Sequence, residues 1–131
     1  MVQWPVVSRA FWTAPLIEGR YSQLGGVDIK RRSLIDSQGR CLSTSGDYAS
    51  KFSDDYSHHH LLDPRTGLSP VKLSAVSVAA PTALEADSLS TALFVLGPEK
   101  AKEMVESMDL VDAFFVSKSG DITATDGFPL V

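Results

Sequence analysis

The sequence predicts an α+β domain in which a mainly antiparallel sheet carries two consecutive helices on one face. Three observations lead there. Residues 72–80, K-L-S-A-V-S-V-A-A, set Leu73, Ala75, Ser77 and Ala79 against Ser74, Val76, Val78 and Ala80. Both series are small or apolar, the pattern of a central strand covered on its two sides. Two helix starts follow at once, at Thr82 and at Pro98, and a strand and a short hairpin then close the chain.

The chain begins with its least patterned part. Trp4, Val6, Val7, Phe11 and Trp12 are apolar enough for a strand, but Pro5 and Pro15 interrupt it, so only a weak strand over Val2 to Val7 is expected. Gly25-Gly26 marks a loop. From Ser33 the run S-L-I-D, the turn S-Q-G-R and the run C-L-S-T-S predict a hairpin with Gly39 in the turn. Ser45-Gly46-Asp47-Tyr48 leaves the second strand; small residues and one acid suit a binding edge or an ordinary turn.

Tyr56 to Pro70 reads Y-S-H-H-H-L-L-D-P-R-T-G-L-S-P. Asp63 to Gly67 is a tight turn, in which the Asp carboxylate caps, Pro64 fixes φ and Gly67 takes the left-handed position. His60-Leu61-Leu62 is expected as the strand leading into it. Extended backbone would point His58 and His60 one way and His59 the other. Two imidazoles on one face with no third ligand at matching spacing do not make a zinc site, so one functional His is expected rather than a cluster.

The stretch Pro81 to Leu96, P-T-A-L-E-A-D-S-L-S-T-A-L-F-V-L, is the centre of the chain. Thr82 and Glu85 form a capping box. Leu84, Leu89, Leu93, Phe94, Val95 and Leu96 cover most of the circumference, which implies burial on nearly all sides. Asp87 and Thr91, four residues apart, stack on one face. A carboxylate in such a helix carries a desolvation cost that a hard metal ion would offset. The macrodipole also favours an Asp in the early turns, and a Thr can bond back to a carbonyl one turn earlier, so neither residue requires a ligand. Gly97 then caps the C-terminus, and Pro98 starts a surface helix with Ala101, Met104, Val105 and Met108 inward. Asp109 to Ser117 reads as a strand, Lys118 to Asp121 as a turn, and Ile122 to Ala124 as the last strand.

Composition narrows the function classes. At 131 residues, 44% hydrophobic and 21% charged, the chain fits one ordinary globular domain. A net charge of -4 and a pI near 5.2 argue against a nucleic-acid surface, and Lys30-Arg31-Arg32 is the only basic cluster. Cys41 is the single cysteine, so no internal disulfide can form. No apolar run approaches the ~20 residues that span a bilayer, and the start does not resemble a signal peptide. From these residues alone the chain is expected to stay where it is made.

Several segments together resemble one family. H-L-L-D-P-R-T-G, S-V-A-A-P-T-A-L-E-A-D-S-L-S-T-A-L-F-V-L-G-P-E-K-A and F-F-V-S-K-S-G-D-I-T-A-T-D-G-F look like the C-terminal half of the ApbE family, the FAD:protein FMN transferases. S-T-S-G-D-Y, at Ser43 to Tyr48, fits the family pattern just upstream. The resemblance runs in unbroken order from Ser33 to Phe128 and implies a partial ApbE-like fold, with 33–131 as a C-terminal half-domain and 1–32 as a poorly matched segment. It implies transfer of the FMN part of FAD to a Thr hydroxyl of an acceptor protein, with release of AMP and a requirement for Mg2+.

The same resemblance implies roles. Asp87 and Thr91 correspond to the family's metal ligands, and His60, beside L-L-D-P, to its functional His, a base toward the incoming Thr. Ser45, Gly46, Asp47 and Tyr48 are expected to edge the same cavity, with Arg65 near flavin phosphate or the partner. His58 and His59 receive no role. Family members are two to three times longer, and their N-terminal half brings flavin-binding residues, a glycine-rich segment and a further magnesium ligand. The match therefore leads us to expect a truncated gene, a shifted frame or one half of a split protein. Its partners would be a missing half or another copy of the chain, and the isolated chain would be weakly active. A non-catalytic remnant that binds flavin or acts as an interaction domain is the alternative. The family is usually periplasmic or an inner-membrane lipoprotein; no such start is recognised here.

Overall fold

The computed structural model describes residues 39–48, 52–55 and 57–129. The strand expected at Val2 to Val7 and the first arm of the Ser33 hairpin lie outside them. The elements run β1 (Cys41–Gly46), β2 (Leu73–Ala80), α1 (Ala83–Leu96), α2 (Pro98–Glu106), β3 (Asp112–Ser117) and β4 (Ile122–Ala124). The strands form one antiparallel sheet in the order β1-β2-β3-β4. Both helices lie on one face, so the α+β architecture is the one the sequence predicts.

Every residue of β2 is buried, as a strand between two neighbours and two covered faces must be. Val76, Val78 and Ala80 join Ala86, Leu93, Phe94, Ala101, Val105, Ala113 and Phe115 in the core beneath the helices. On the opposite face Ala75 and Ala79 meet Phe114, Val116 and Phe128. Alternation breaks once: the β2–β3 register shifts between Leu73 and Ala75, and Leu73 joins the helix-side core instead of following Ala75. An extra residue in one strand of an antiparallel pair has this effect.

α1 starts where the capping box sets it. The Glu85 N–H donates to Thr82 Oγ1 at 3.2 Å, and the Thr82 N–H donates to Glu85 Oε2 at 3.0 Å. Burial on nearly all sides does not occur. α1 buries one stripe, Ala86, Ser90, Leu93 and Phe94, while Leu84 is 77% exposed. The reason is geometric: the sheet covers one side of the helix, and no second layer lies over the other among the described residues. α2 buries Ala101 and Val105 against the same core, with Met108 packed at its edge. Met104, expected inward, is 40% exposed because it lies off the line through residues 101, 105 and 108.

Two boundaries also move. Asp109 and Leu110 form a turn, Leu110 at φ +61°, so β3 begins only at Asp112. His60-Leu61-Leu62 is not a strand; only His59 makes a bridge, and the segment is held by its own turn. A Thr82→Ala substitution should leave the fold intact and lower unfolding stability by about 1 kcal/mol, read as a lower denaturant midpoint at unchanged slope.

Candidate functional site

Asp87 and Thr91 sit on the open flank of α1, above β1, and both are exposed. The desolvation argument therefore does not apply to Asp87, whose carboxylate reaches solvent past the strand. What holds the two side chains is the alternation of β1. Cys41, Ser43 and Ser45 face the helices, while Leu42 packs on the far side of the sheet. Ser43 Oγ donates to Asp87 Oδ1 at 3.0 Å. Ser45 Oγ lies 2.9 Å from Thr91 Oγ1 and 2.8 Å from Ser90 Oγ. Ser90 Oγ donates to the Asp87 carbonyl at 2.9 Å. One carboxylate and several hydroxyls thus meet along a single helix–strand seam.

The His-rich segment is fixed by its middle imidazole. His59 is fully buried, with its ring edge-on to Phe94 at 5.4 Å between centroids. Its N–H donates to Ser69 Oγ at 2.9 Å, Ser69 Oγ donates to the His59 carbonyl at 2.8 Å, and Nε2 donates to the Pro70 carbonyl at 3.0 Å. Nδ1 is buried without a hydrogen-bond partner among the described residues. These contacts tie the two ends of the loop to each other and set His59 against Phe94, in the second half of α1. His58 and His60, before and after it in the chain, are exposed.

The turn after it is built as its sequence indicates. Thr66 and Gly67 N–H groups donate to the Asp63 carbonyl at 3.1 and 2.7 Å, and Gly67 has φ +70°. The Asp63 carboxylate receives the Arg65 N–H at 2.9 Å and the guanidinium through Nε at 2.9 Å and Nη2 at 2.6 Å. Arg65 is thereby folded back on its own turn. Those bonds, the side-chain ones first, hold the Asp63 carboxyl down at about 2.

The segment after β1 divides. Ser45 belongs to the helix–strand seam. At Gly46 an added Cβ would stand 2.3 Å from Tyr48 Cε1 and 2.9 Å from the Ser74 carbonyl, so the chain passes there only as glycine. Asp47 is fully buried and is ion-paired with Lys118 at the end of β3; its Oδ1 has no partner among the described residues. The Asp47 N–H donates to the Ser74 carbonyl at 3.1 Å and the Lys118 N–H to the Lys72 carbonyl at 3.1 Å, so the pair closes one end of three adjacent strands.

The structure thus brings Asp87, Thr91 and Ser45 to one seam and places the His60 loop over the same helix, whereas Asp47 and Arg65 are engaged elsewhere. Sequence reasoning missed Ser43, Ser90, His59 and Lys118. Ser43 and Ser45 were readable as same-face residues of a strand; nothing in the sequence pairs Asp47 with Lys118. Among the described residues no three His, Cys, Asp or Glu side chains cluster as a metal site. The oxygen-only donors of the seam fit a hard cation that completes its shell with water or phosphate, not a closed zinc centre.

A model of the ApbE family matches residues 19–115. The FAD:protein FMN transferase of Escherichia coli K12 is 44% identical over 93 residues, covering 69% of this chain and 26% of that protein. That of Treponema pallidum is 38% identical over 101 residues, covering 75% and 28%. Among solved structures, the ApbE protein of Thermotoga maritima superposes with a TM-score of 0.58 at 33% identity, over 65% of this chain and 28% of that one. The apo flavinyl transferase ApbE of Pseudomonas stutzeri gives 0.55 at 44% identity, over 67% and 29%. The chain spans about a quarter of the length of the curated relatives it matches.

Two outcomes follow from the charges. The Asp63 carboxyl should titrate near about 2 by NMR, and in Arg65→Gln it should move up toward the ordinary ~3.9. A depressed carboxylate stabilises the turn above that ordinary value, and its contribution is lost as pH falls from there toward about 2. Replacing Lys118 with Met strands the buried Asp47 carboxylate and should lower stability by ~3 kcal/mol, measured by chemical denaturation.

Proposed function

The chain belongs to the ApbE family, and from that premise we propose that it takes part in moving FMN from FAD onto a protein, the activity its relatives are named for. In this reading the acceptor is a Thr. Its oxygen attacks the phosphorus on the FMN side of the diphosphate, the bond from that phosphorus to the bridging oxygen breaks, and AMP departs with the electron pair. The Thr proton passes to His60, an imidazole suited to proton transfer near neutral pH.

One observation carries the reading: an acid and an alcohol one helical turn apart stand exposed on one flank and are both bonded to the same strand. Asp87 and Thr91 would hold a magnesium ion, whose chemistry is neutralisation of the charge that builds on the diphosphate oxygens. Ser43 and Ser45 brace those two side chains. His59 acts at one remove, because the loop that presents His60 is tied down through it. Localisation in the periplasm or at the inner membrane belongs to the same proposal and rests on the family alone.

A second reading, a non-catalytic flavin-binding or interaction module, is supported by the lack of any cluster of three His, Cys, Asp or Glu side chains among the described residues. Mass spectrometry of a Thr-containing acceptor incubated with the purified chain, FAD and Mg2+ separates the two. The first reading expects an FMN adduct that disappears in Asp87→Ala and forms about 100-fold more slowly in His60→Gln. FAD binding without any adduct would select the second.

A further inference from the structure

Resting on the reading just given, we propose that Ser45 and Ser43 are positioning residues whose hydrogen bonds aim the lone pairs of Thr91 and Asp87 outward, at a divalent cation. The argument is one of proton placement. Each hydroxyl has a single proton to donate and can accept as well. The Asp87 carbonyl can only accept, so the Ser90 proton lies on the 2.9 Å contact to it. The 2.8 Å contact between Ser45 and Ser90 then needs the Ser45 proton. The 2.9 Å contact between Ser45 and Thr91 is left to the Thr91 proton. Only this order, Thr91 to Ser45 to Ser90 to the Asp87 carbonyl, satisfies all three contacts.

A hydroxyl can ligate a cation only through a lone pair, with its proton directed elsewhere. Ser45 accepts the hydrogen bond that the Thr91 hydroxyl donates on the strand side, which leaves the Thr91 oxygen's remaining lone-pair density toward solvent. Ser43 does the equivalent for the acid. By donating to Asp87 Oδ1 it fixes the carboxylate rotation, and Oδ2 has no bond among the described residues. Outer partners of this kind orient ligands and raise affinity about 10- to 100-fold in metal sites generally. The arrangement also explains why a strand carries two serines, poor strand formers, on its helix-facing side.

The test is Mn2+ binding by the full chain, with free Mn2+ read by electron paramagnetic resonance and no flavin or acceptor present. Ser45→Ala should weaken Mn2+ about tenfold, Ser43→Ala by a similar factor, and Ser45→Thr, which keeps the hydroxyl, should restore the parent affinity. Thermal unfolding without metal should be alike for Ser45→Ala and Ser45→Thr, so that a folding defect is told apart from lost orientation. Parent affinity in Ser45→Ala, or equal weakening in Ser45→Thr, overturns the positioning role while the metal reading stands if Asp87→Ala still abolishes binding. Unchanged binding in Asp87→Ala overturns the metal reading, and this inference with it.

Discussion

Phe94, Leu93 and Ala86 of α1 meet Val76, Val78 and Ala80 of β2 in one continuous core, and this contact sets the height and rotation of the helix over the sheet. Burying each large side chain there is worth roughly 1.5–3 kcal/mol. Because α1 has one sheet beneath it, the stripe that enters the core decides which residues stay outside. With residues 86, 90, 93 and 94 inward, 87 and 91 fall on the flank above β1. The polar seam is a by-product of apolar packing: a different helix rotation would bury the acid or turn it away from the serines.

Polar groups are placed by what surrounds them. Ser90 lies in the buried stripe, yet its hydroxyl is satisfied by Ser45 and by a carbonyl of its own helix. Asp47 is handled differently, since it is buried and its carboxylate is paired with Lys118. Two acids of one chain thus have opposite duties, Asp47 closing strand ends and Asp87 facing solvent.

Much of this was legible because it is local. The capping box at Thr82, the turn from Asp63 to Gly67, the C-cap at Gly97 and the double-sided burial of β2 each follow from a few adjacent residues. Spacing also put Asp87 and Thr91 on one flank. What was not legible was a matter of partner. Counting apolar residues around α1 suggested burial all round, but how much of a helix is covered depends on how many layers the chain supplies. Asp47 read as a cavity edge because its cation lies 71 residues away. His59 read as spare because the Phe94 ring and the Pro70 carbonyl that engage it lie outside its own motif.

The irregularity in β2 bears on how this strand can change length. Leu73 faces the helices although Ala75, two positions on, faces away, so Ser74 is a supernumerary residue in the ladder. Its loss would leave Leu73 and Ala75 as ordinary neighbours on opposite sides, each on the face it now occupies, with another carbonyl needed to accept the Asp47 N–H. Excision of one residue between Val76 and Ala80 would instead invert part of the strand, turning valines outward and alanines under the helix. Single-codon deletions should therefore be tolerated at one end of this strand and nowhere along the rest of it.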